Sequence, residues 1–116
     1  MPSQSRKHRG YKSQKIVANY LAANGWPYAE STGAGRSGTD VTGTIGIDWE
    51  VKARTGFNPS AAIKQLKERH NGLDLPVAVL RLNGQGEVNI GEWPVILRLE
   101  DFVKLLKEAG YADGTA

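Results

Sequence analysis

The chain has 116 residues, which suits one compact domain and leaves little room for a second. Hydrophobic residues make up 40% and charged residues 23%, a globular balance that argues against disorder, and no apolar run approaches the roughly 20 residues that a membrane helix needs. Cysteine is absent, which excludes disulfides, thiolate metal sites and a cysteine nucleophile.

The net charge of +3 is distributed unevenly along the chain. The first acidic residue is Glu30, and the remainder of the chain after residue 15 carries 10 basic and 12 acidic residues. We expect residues 1–10 to form a flexible basic arm ahead of one domain over residues 11–112. Such an arm predicts contact with a polyanion such as nucleic acid, although a solvated terminus has the same composition. The five early cations are Arg6, Lys7, Arg9, Lys12 and Lys15.

The first half of the chain predicts a helix followed by three strands. Apolar residues recur at three- and four-residue spacing over residues 12–24, and a glycine follows as a helix stop. Residues 26–31 predict a short strand, 33–38 a glycine-rich loop, 39–42 a second strand and 43–46 a turn. Strict alternation over residues 47–53 predicts a third strand, which directs Asp48, Glu50 and Lys52 to the face opposite Trp49 and Val51.

The second half predicts a helix, further strands and a closing helix. Asn58 or Ser60 can cap a helix that runs to about residue 71. The apolar run 77–82 predicts a strand buried on both faces, followed by a turn at 83–86 and a hairpin with 88–90. Residues 93–97 predict one more strand, and an amphipathic helix ends at Gly110. The fold class is therefore α/β: a single domain with a central mixed β-sheet flanked by helices.

The candidate chemistry lies in Asp40, Glu50 and Lys52. Asp40 begins one strand of the predicted hairpin and Glu50 lies on the next, so a tight turn would bring two carboxylates to one metal ion. Phosphodiester hydrolysis commonly uses Mg²⁺ held by one or two carboxylates. Lys52 projects from the same face as Glu50 and could orient water or stabilise negative charge. A Glu-x-Lys triplet can also be a simple ion pair on a half-exposed strand.

The arrangement resembles the PD-(D/E)xK nuclease superfamily, with Thr39-Asp40 in place of Pro-Asp and Glu50-Val51-Lys52 as (D/E)xK. Over residues 6–82 it is most similar to archaeal-type Holliday junction resolvases, on the order of basic segment, first helix, glycine loop, Asp40, Glu-x-Lys strand and a helix carrying Gln65. The resemblance implies a restriction-endonuclease-like αβββαβ core.

The resemblance also implies the chemistry of the site. Asp40, Glu50 and the Val51 carbonyl would bind Mg²⁺ or Mn²⁺, with Lys52 and Gln65 completing the catalytic set. Cleavage would leave 5′-phosphate and 3′-hydroxyl ends. A homodimer would cut branched DNA, best a four-way junction, in the cytoplasm of a prokaryotic or phage-infected cell, without membrane attachment. Residues expected to contact DNA are Arg6, Lys7, Arg9, Lys12, Arg36, Ser37 and Arg54.

One departure from the resolvases concerns the first helix, where they carry a metal-associated glutamate. The best-matched position here is Ser13, beside Gln14, and Glu30 is a candidate replacement. Two other interpretations stay open: a different nuclease of the superfamily that acts on flaps, ends or duplex, and a DNA-binding module with an inactive nuclease fold. Gly33, Gly35 and Gly38 spell a dinucleotide-binding pattern, but a strand-like segment follows them instead of a helix.

Overall fold

The structure, a computed structural model, describes residues 2–33, 38–53 and 58–112. It confirms an α/β fold with a mixed sheet and flanking helices. The elements in chain order are α1 (Pro2–Ala23), β1 (Glu30–Ser31), β2 (Val41–Thr42), β3 (Ile47–Ala53), α2 (Pro59–Arg69), β4 (Leu75–Arg81), a 3₁₀ helix (Glu87–Glu92), β5 (Val95–Ile96) and α3 (Leu99–Glu108).

Helix α1 begins at Pro2, ten residues before the predicted start. Residues 2–10 therefore continue the helix instead of forming an irregular arm ahead of it. Proline is well suited to the first turn of a helix, and the lysine, arginine and glutamine residues that follow are good helix formers. The buried side of α1 carries Ile16, Val17, Ala18 and Leu21, which pack into the core with Val51 of β3.

Strand β4 lies at the centre of the three-stranded sheet, between β3 and β5. Strands β3 and β4 are parallel and in register from Ile47 opposite Leu75 to Ala53 opposite Arg81, and β5 adds to the other side of β4 in the antiparallel sense. Residues 76–80 of β4 are all buried. The predicted strand, buried on both faces, is thus confirmed, and it starts two residues earlier than the apolar run indicates.

Strands β1 and β2 form a short antiparallel pair that joins this sheet through the residues just before β2. The Asp40 N–H donates to the Trp49 carbonyl at 2.9 Å, and the Trp49 N–H donates to Thr39 Oγ1 at 2.8 Å. The Thr32 N–H donates to the Asp40 carbonyl at 3.1 Å. The backbone of Asp40 is consequently fixed between β1 and β3.

The turn at residues 43–46 allows this hairpin to close. Gly43 has a φ of +82°, and a Cβ atom built there would lie 2.0 Å from the Tyr28 carbonyl oxygen. Only glycine fits both the backbone conformation and the space. Gly46 has a similar φ of +89° but open space around it.

Helix α2 makes the crossover between the parallel strands β3 and β4. Asn58 caps it, because its Oδ1 accepts from the Ala61 N–H at 3.1 Å, and Pro59 occupies the first turn. Ala62 and Leu66 are its buried residues. The predicted capping is confirmed, and the helix ends at Arg69, two residues before the predicted end.

One predicted strand is wrong in part and another is wrong entirely. The segment 26–31 is a strand only at its last two residues, and Tyr28 is 84% exposed. The predicted hairpin arm at 88–90 is instead part of the 3₁₀ helix, where the Gly86 N–H donates to Asn89 Oδ1 and the Gly86 carbonyl accepts from Trp93 Nε1 at 3.1 Å. These side-chain bonds satisfy the backbone locally, so no cross-strand pairing is needed.

Helix α3 ends as predicted before Gly110, whose φ is +91°. It lies at the periphery of the fold, and Leu99 and Phe102 remain 76% and 45% exposed. None of the helices in the described part of the chain combines the length and apolarity required to cross a membrane.

Candidate active site on strand β3

The carboxylate of Asp40 takes the place of a backbone group in the sheet. Its Oδ2 accepts from the Val51 N–H at 2.7 Å. Strand β2 begins only at Val41, so the carboxylate takes the position that a carbonyl of a paired strand would have. Glu50 and Lys52 flank Val51 on β3, with their side chains on the opposite face from the buried Val51 side chain. The hairpin thus brings together the three residues that the sequence motif predicts.

Burial raises the pKa of Asp40, and the negative charge of Glu50 adds to this effect. The hydrogen bond from Val51 and the charges of Arg69 and Lys52 act in the opposite direction without overcoming it. A partly desolvated carboxylate beside a second one is stabilised by an added cation.

Glu50 is held by cations on both of its oxygens. Lys52 Nζ lies 2.7 Å from Glu50 Oε1, and Arg69 Nη1 forms an ion pair with Glu50 Oε2. Arg69 also binds Asp48, with Nε donating to Asp48 Oδ2 at 3.0 Å. We call Asp40, Asp48, Glu50, Lys52 and Arg69 the β3 charge cluster.

Two members of the β3 charge cluster, Asp48 and Arg69, are not among the predicted site residues. The alternation of β3 already places Asp48 on the face of Glu50 and Lys52. Arg69 is four residues after Gln65 and therefore on the same side of α2. That spacing is the signal that could have drawn attention to Arg69.

Gln65 is half-buried on α2, one turn before Arg69. The crossover helix α2 runs antiparallel to β3. A residue one helical turn before Arg69 therefore lies further along β3, toward Lys52. Gln65 is therefore separated from a member of the cluster by one turn of α2. No hydrogen bond joins its side chain to another residue of the described chain.

The residues present suit a hard divalent cation. Within the described residues, the Asp40 Oδ1 atom makes no hydrogen bond. The N–H and C=O of one strand residue point to the same edge, so the Val51 carbonyl faces the side on which its N–H meets Asp40. Carboxylate and carbonyl oxygens are the ligands that Mg²⁺ accepts, with water completing its shell. The described residues hold no group of three His, Cys, Asp or Glu side chains arranged for a metal, so these two carboxylates would need water or substrate ligands.

Among the described residues, neither candidate replacement ligand forms a hydrogen bond with Asp40 or Glu50. Ser13 is completely buried, and its Oγ accepts from Arg81 Nη1 at 3.2 Å. Glu30 is exposed on β1 opposite Thr42 and forms no metal-type group with Asp40 and Glu50. Beside Ser13, the buried Gln14 Oε1 has no hydrogen-bond donor among the described residues.

Among the residues expected to contact DNA, only Lys12 has a described side chain, and it is exposed on α1. Arg6, Lys7 and Arg9 lie on the first turns of α1, with side chains outside the described part. The remaining three, Arg36, Ser37 and Arg54, lie outside the described residues.

Comparison of the chain with protein-family models, with curated proteins and with solved structures finds no match.

Proposed function

We propose that this chain is a metal-dependent endodeoxyribonuclease of the PD-(D/E)xK type. The observation that carries the proposal is the hydrogen bond from the Val51 N–H to Asp40 Oδ2 at 2.7 Å. It fixes the carboxylate of the Asp residue at the centre of the Glu-x-Lys strand. The order of elements from α1 to β4 supports assignment to the restriction-endonuclease-like αβββαβ core.

Asp40, Glu50 and the Val51 carbonyl would hold Mg²⁺ or Mn²⁺. The bound ion would activate water and neutralise charge on the scissile phosphate. Asp40 is suited to this task because its position is fixed by Val51 and its charge is only partly compensated. Glu50 would exchange its contact with Arg69 for the ion.

Lys52 has a separate role in the proposed reaction. Its Nζ is already directed to the active face by Glu50, 2.7 Å away. An ammonium group at this position can hold the attacking water or donate to a non-bridging phosphate oxygen as negative charge develops. Gln65, one turn before Arg69 on α2, would orient the substrate or the water. The products would carry 5′-phosphate and 3′-hydroxyl ends.

The proposed substrate is branched DNA, best a four-way junction, cut by a homodimer with Mg²⁺ or Mn²⁺. A small subunit that binds DNA through cations on phosphates is expected to select backbone shape over base sequence. The apolar side chains of Val95, Leu99 and Phe102 are substantially exposed beside Leu97 and offer a surface for a second copy. A two-fold axis through that surface would present two sites to two strands.

A cleavage assay tests the proposal. Four-way junction, flap and linear duplex DNA are incubated with the protein in Mg²⁺ and in EDTA, and products are resolved on denaturing gels. We expect metal-dependent nicking, with the junction cut fastest. Asp40→Asn, Glu50→Gln and Lys52→Ala should each abolish cleavage while DNA binding remains, since affinity comes mainly from cations elsewhere. Glu92→Gln, an exposed position on the 3₁₀ helix, is the matched control.

The outcomes separate the alternatives. Cutting at wild-type rates by two of the three site variants would contradict the site. Binding without cleavage by the wild-type protein in Mg²⁺ and Mn²⁺ would favour the DNA-binding module with an inactive nuclease fold. Equal cutting of all three substrates by a monomer, established by sedimentation, would favour another nuclease of the superfamily.

A further inference from the structure

A cavity of about 250 Å³ lies at the carboxyl ends of the parallel strands β3 and β4. It lies between α1 and the turn after β4, and its described lining consists of Lys12, Ala53 and residues 81–85. We infer that this cavity binds a phosphate group of the DNA backbone, with Arg81 and Lys12 as its ligands. The choice of DNA as the source of the phosphate rests on the proposed function.

Arg81 is held in a fixed position with donors to spare. Its Nε donates to the Gln85 carbonyl at 2.8 Å and its Nη1 donates to Ser13 Oγ at 3.2 Å. The guanidinium carbon lies 5.2 Å from the ring centre of Trp93, a cation–π contact. A guanidinium group has five N–H donors, so three have no acceptor in the described part of the chain. A rigid fork with free donors is well suited to phosphate.

The charge of the cavity is uncompensated. No acidic residue is found among the described residues that line it. Neither Lys12 nor Arg81 has a carboxylate within 4.0 Å among the described residues, whereas Arg69 and Arg98 are both paired with acids. A half-buried guanidinium without a counter-ion favours an anion beside it. The amide side chain of Asn83 adds a further polar group to the lining.

The cavity lies beyond the β3 charge cluster at the same end of β3. Ala53 pairs with Arg81 in the register, and Lys52 immediately precedes Ala53. At about 3.3 Å per residue, Ala53 lies roughly 10 Å beyond Glu50 along the strand. Alternation places Lys52 and Arg81 on opposite faces of the sheet. A DNA strand that crosses this end of the sheet can therefore place one phosphate at the cluster and another in the cavity.

The salt dependence of DNA binding tests the inference without any contribution from catalysis. A 20-base-pair duplex is titrated with the full chain in EDTA at several salt concentrations, and the slope of log K against log salt is measured. Each phosphate contact contributes a slope of about −0.9. We expect Lys12→Ala and Arg81→Gln each to flatten the slope by about one contact. Lys15→Ala is the matched control, because Lys15 is an exposed lysine on α1 outside the cavity lining.

A second measurement uses inorganic phosphate alone as the probe. In two-dimensional NMR spectra, phosphate should shift the amide signals of Gly84 and Gln85 in the wild-type protein and in Lys15→Ala. The shifts should be weaker in Lys12→Ala and absent in Arg81→Gln. Because loss of Arg81 removes contacts to Ser13 and Trp93, the Lys12→Ala result decides the matter should Arg81→Gln not fold.

Three results would overturn the inference. The first is an unchanged salt slope for Lys12→Ala, and the second is an equal flattening of the slope for Lys12→Ala and Lys15→Ala. The third is phosphate-induced NMR shifts combined with unchanged slopes for DNA binding, which would indicate a site for free phosphate only. The cleavage assay with Glu50→Gln is independent of all three. Flattened slopes in a protein that never cuts DNA would refute the nuclease proposal and leave the phosphate site standing.

Discussion

Two substitutions at Asp40 separate its structural role from its chemical role. Asp40→Asn keeps an oxygen that can accept from the Val51 N–H, but removes the charge. Asp40→Ala removes both. The wild-type bond is 2.7 Å long and lies within the sheet, so its loss leaves a partly buried donor without a partner.

The expected magnitudes follow from this geometry. Leaving a buried donor unsatisfied costs about 1–3 kcal/mol, so Asp40→Ala should lower the free energy of unfolding by that amount. Asp40→Asn should be as stable as wild type or slightly more stable in EDTA. The reason is that burial, with the charge of Glu50, makes the ionised carboxylate less favourable in the folded protein, as its raised pKa indicates.

The pH dependence of wild-type stability has a defined sign. With the folded pKa of Asp40 above the ordinary value of 3.8, the folded state binds the proton more tightly than the unfolded state. This contribution to stability is fully present below the ordinary pKa. It is lost as pH rises through the raised pKa. Asp40→Asn lacks this contribution, so the difference between the two proteins should change in favour of the variant as pH rises.

Urea unfolding at several pH values, with and without Mg²⁺, measures these effects together. A ligand at ten times its Kd stabilises the folded state by about 1.4 kcal/mol. That increment should appear for wild type and vanish for Asp40→Asn and Asp40→Ala. Equal loss of stability in the two variants would refute the structural argument. Stabilisation of Asp40→Asn by Mg²⁺ to the wild-type extent would refute the role of Asp40 as a metal ligand.

Three further predictions concern other parts of the chain. Arg69→Gln should tighten Mg²⁺ binding, as measured by calorimetry, because it removes a cation beside Glu50. The affinity should rise roughly tenfold for each 1.4 kcal/mol of repulsion between Arg69 and the ion that is removed. Weaker or unchanged binding would contradict competition between Arg69 and the ion. Gly43→Ala should lower the melting temperature more than Gly46→Ala. Both substitutions cost about 1–2 kcal/mol for the backbone conformation, but only a Cβ at residue 43 would meet a carbonyl oxygen, at 2.0 Å. Equal effects of the two substitutions would show that the turn relaxes. Deletion of residues 1–9 should flatten the salt dependence of DNA binding by about 0.9 per lost phosphate contact, and an unchanged slope would mean that the segment does not touch DNA.

The elements that could be predicted from sequence are those whose signal is local. Strand β3 has its predicted bounds because strict alternation and a glycine turn define it. Helix α2 begins at its predicted cap because the side chain of Asn58 bonds Ala61 within one turn. Strand β1 and the 3₁₀ helix could not be predicted in the same way. Their conformation depends on contacts such as Trp93 Nε1 with the Gly86 carbonyl, which alternation of apolar residues does not encode.

The residues of the candidate site also differ in whether a local sequence pattern brings them together. Asp40, Glu50 and Lys52 share a hairpin, so short-range reasoning brings them together. Arg69 is brought to Glu50 by the end of the crossover helix α2, and the two residues are 19 apart in sequence. Ser13, the position matched to the first-helix glutamate of the resolvases, is buried and accepts from Arg81, a contact that the motif does not indicate. Contacts made through the crossover helix or across α1 require the packed structure.

The charges of the chain suggest that the proposed catalysis and the proposed affinity for DNA depend on different residues. The β3 charge cluster contains three carboxylates and two cations, so without a metal ion it carries a formal charge of −1 and repels a phosphate. One divalent ion would change that charge to +1, which makes metal binding a condition for the scissile phosphate to enter. The described lining of the cavity with Lys12 and Arg81 contains no acid, so the proposed phosphate site would need no metal to attract an anion. On the proposed function, we therefore expect DNA to bind in EDTA and to be cleaved only when a divalent ion is present.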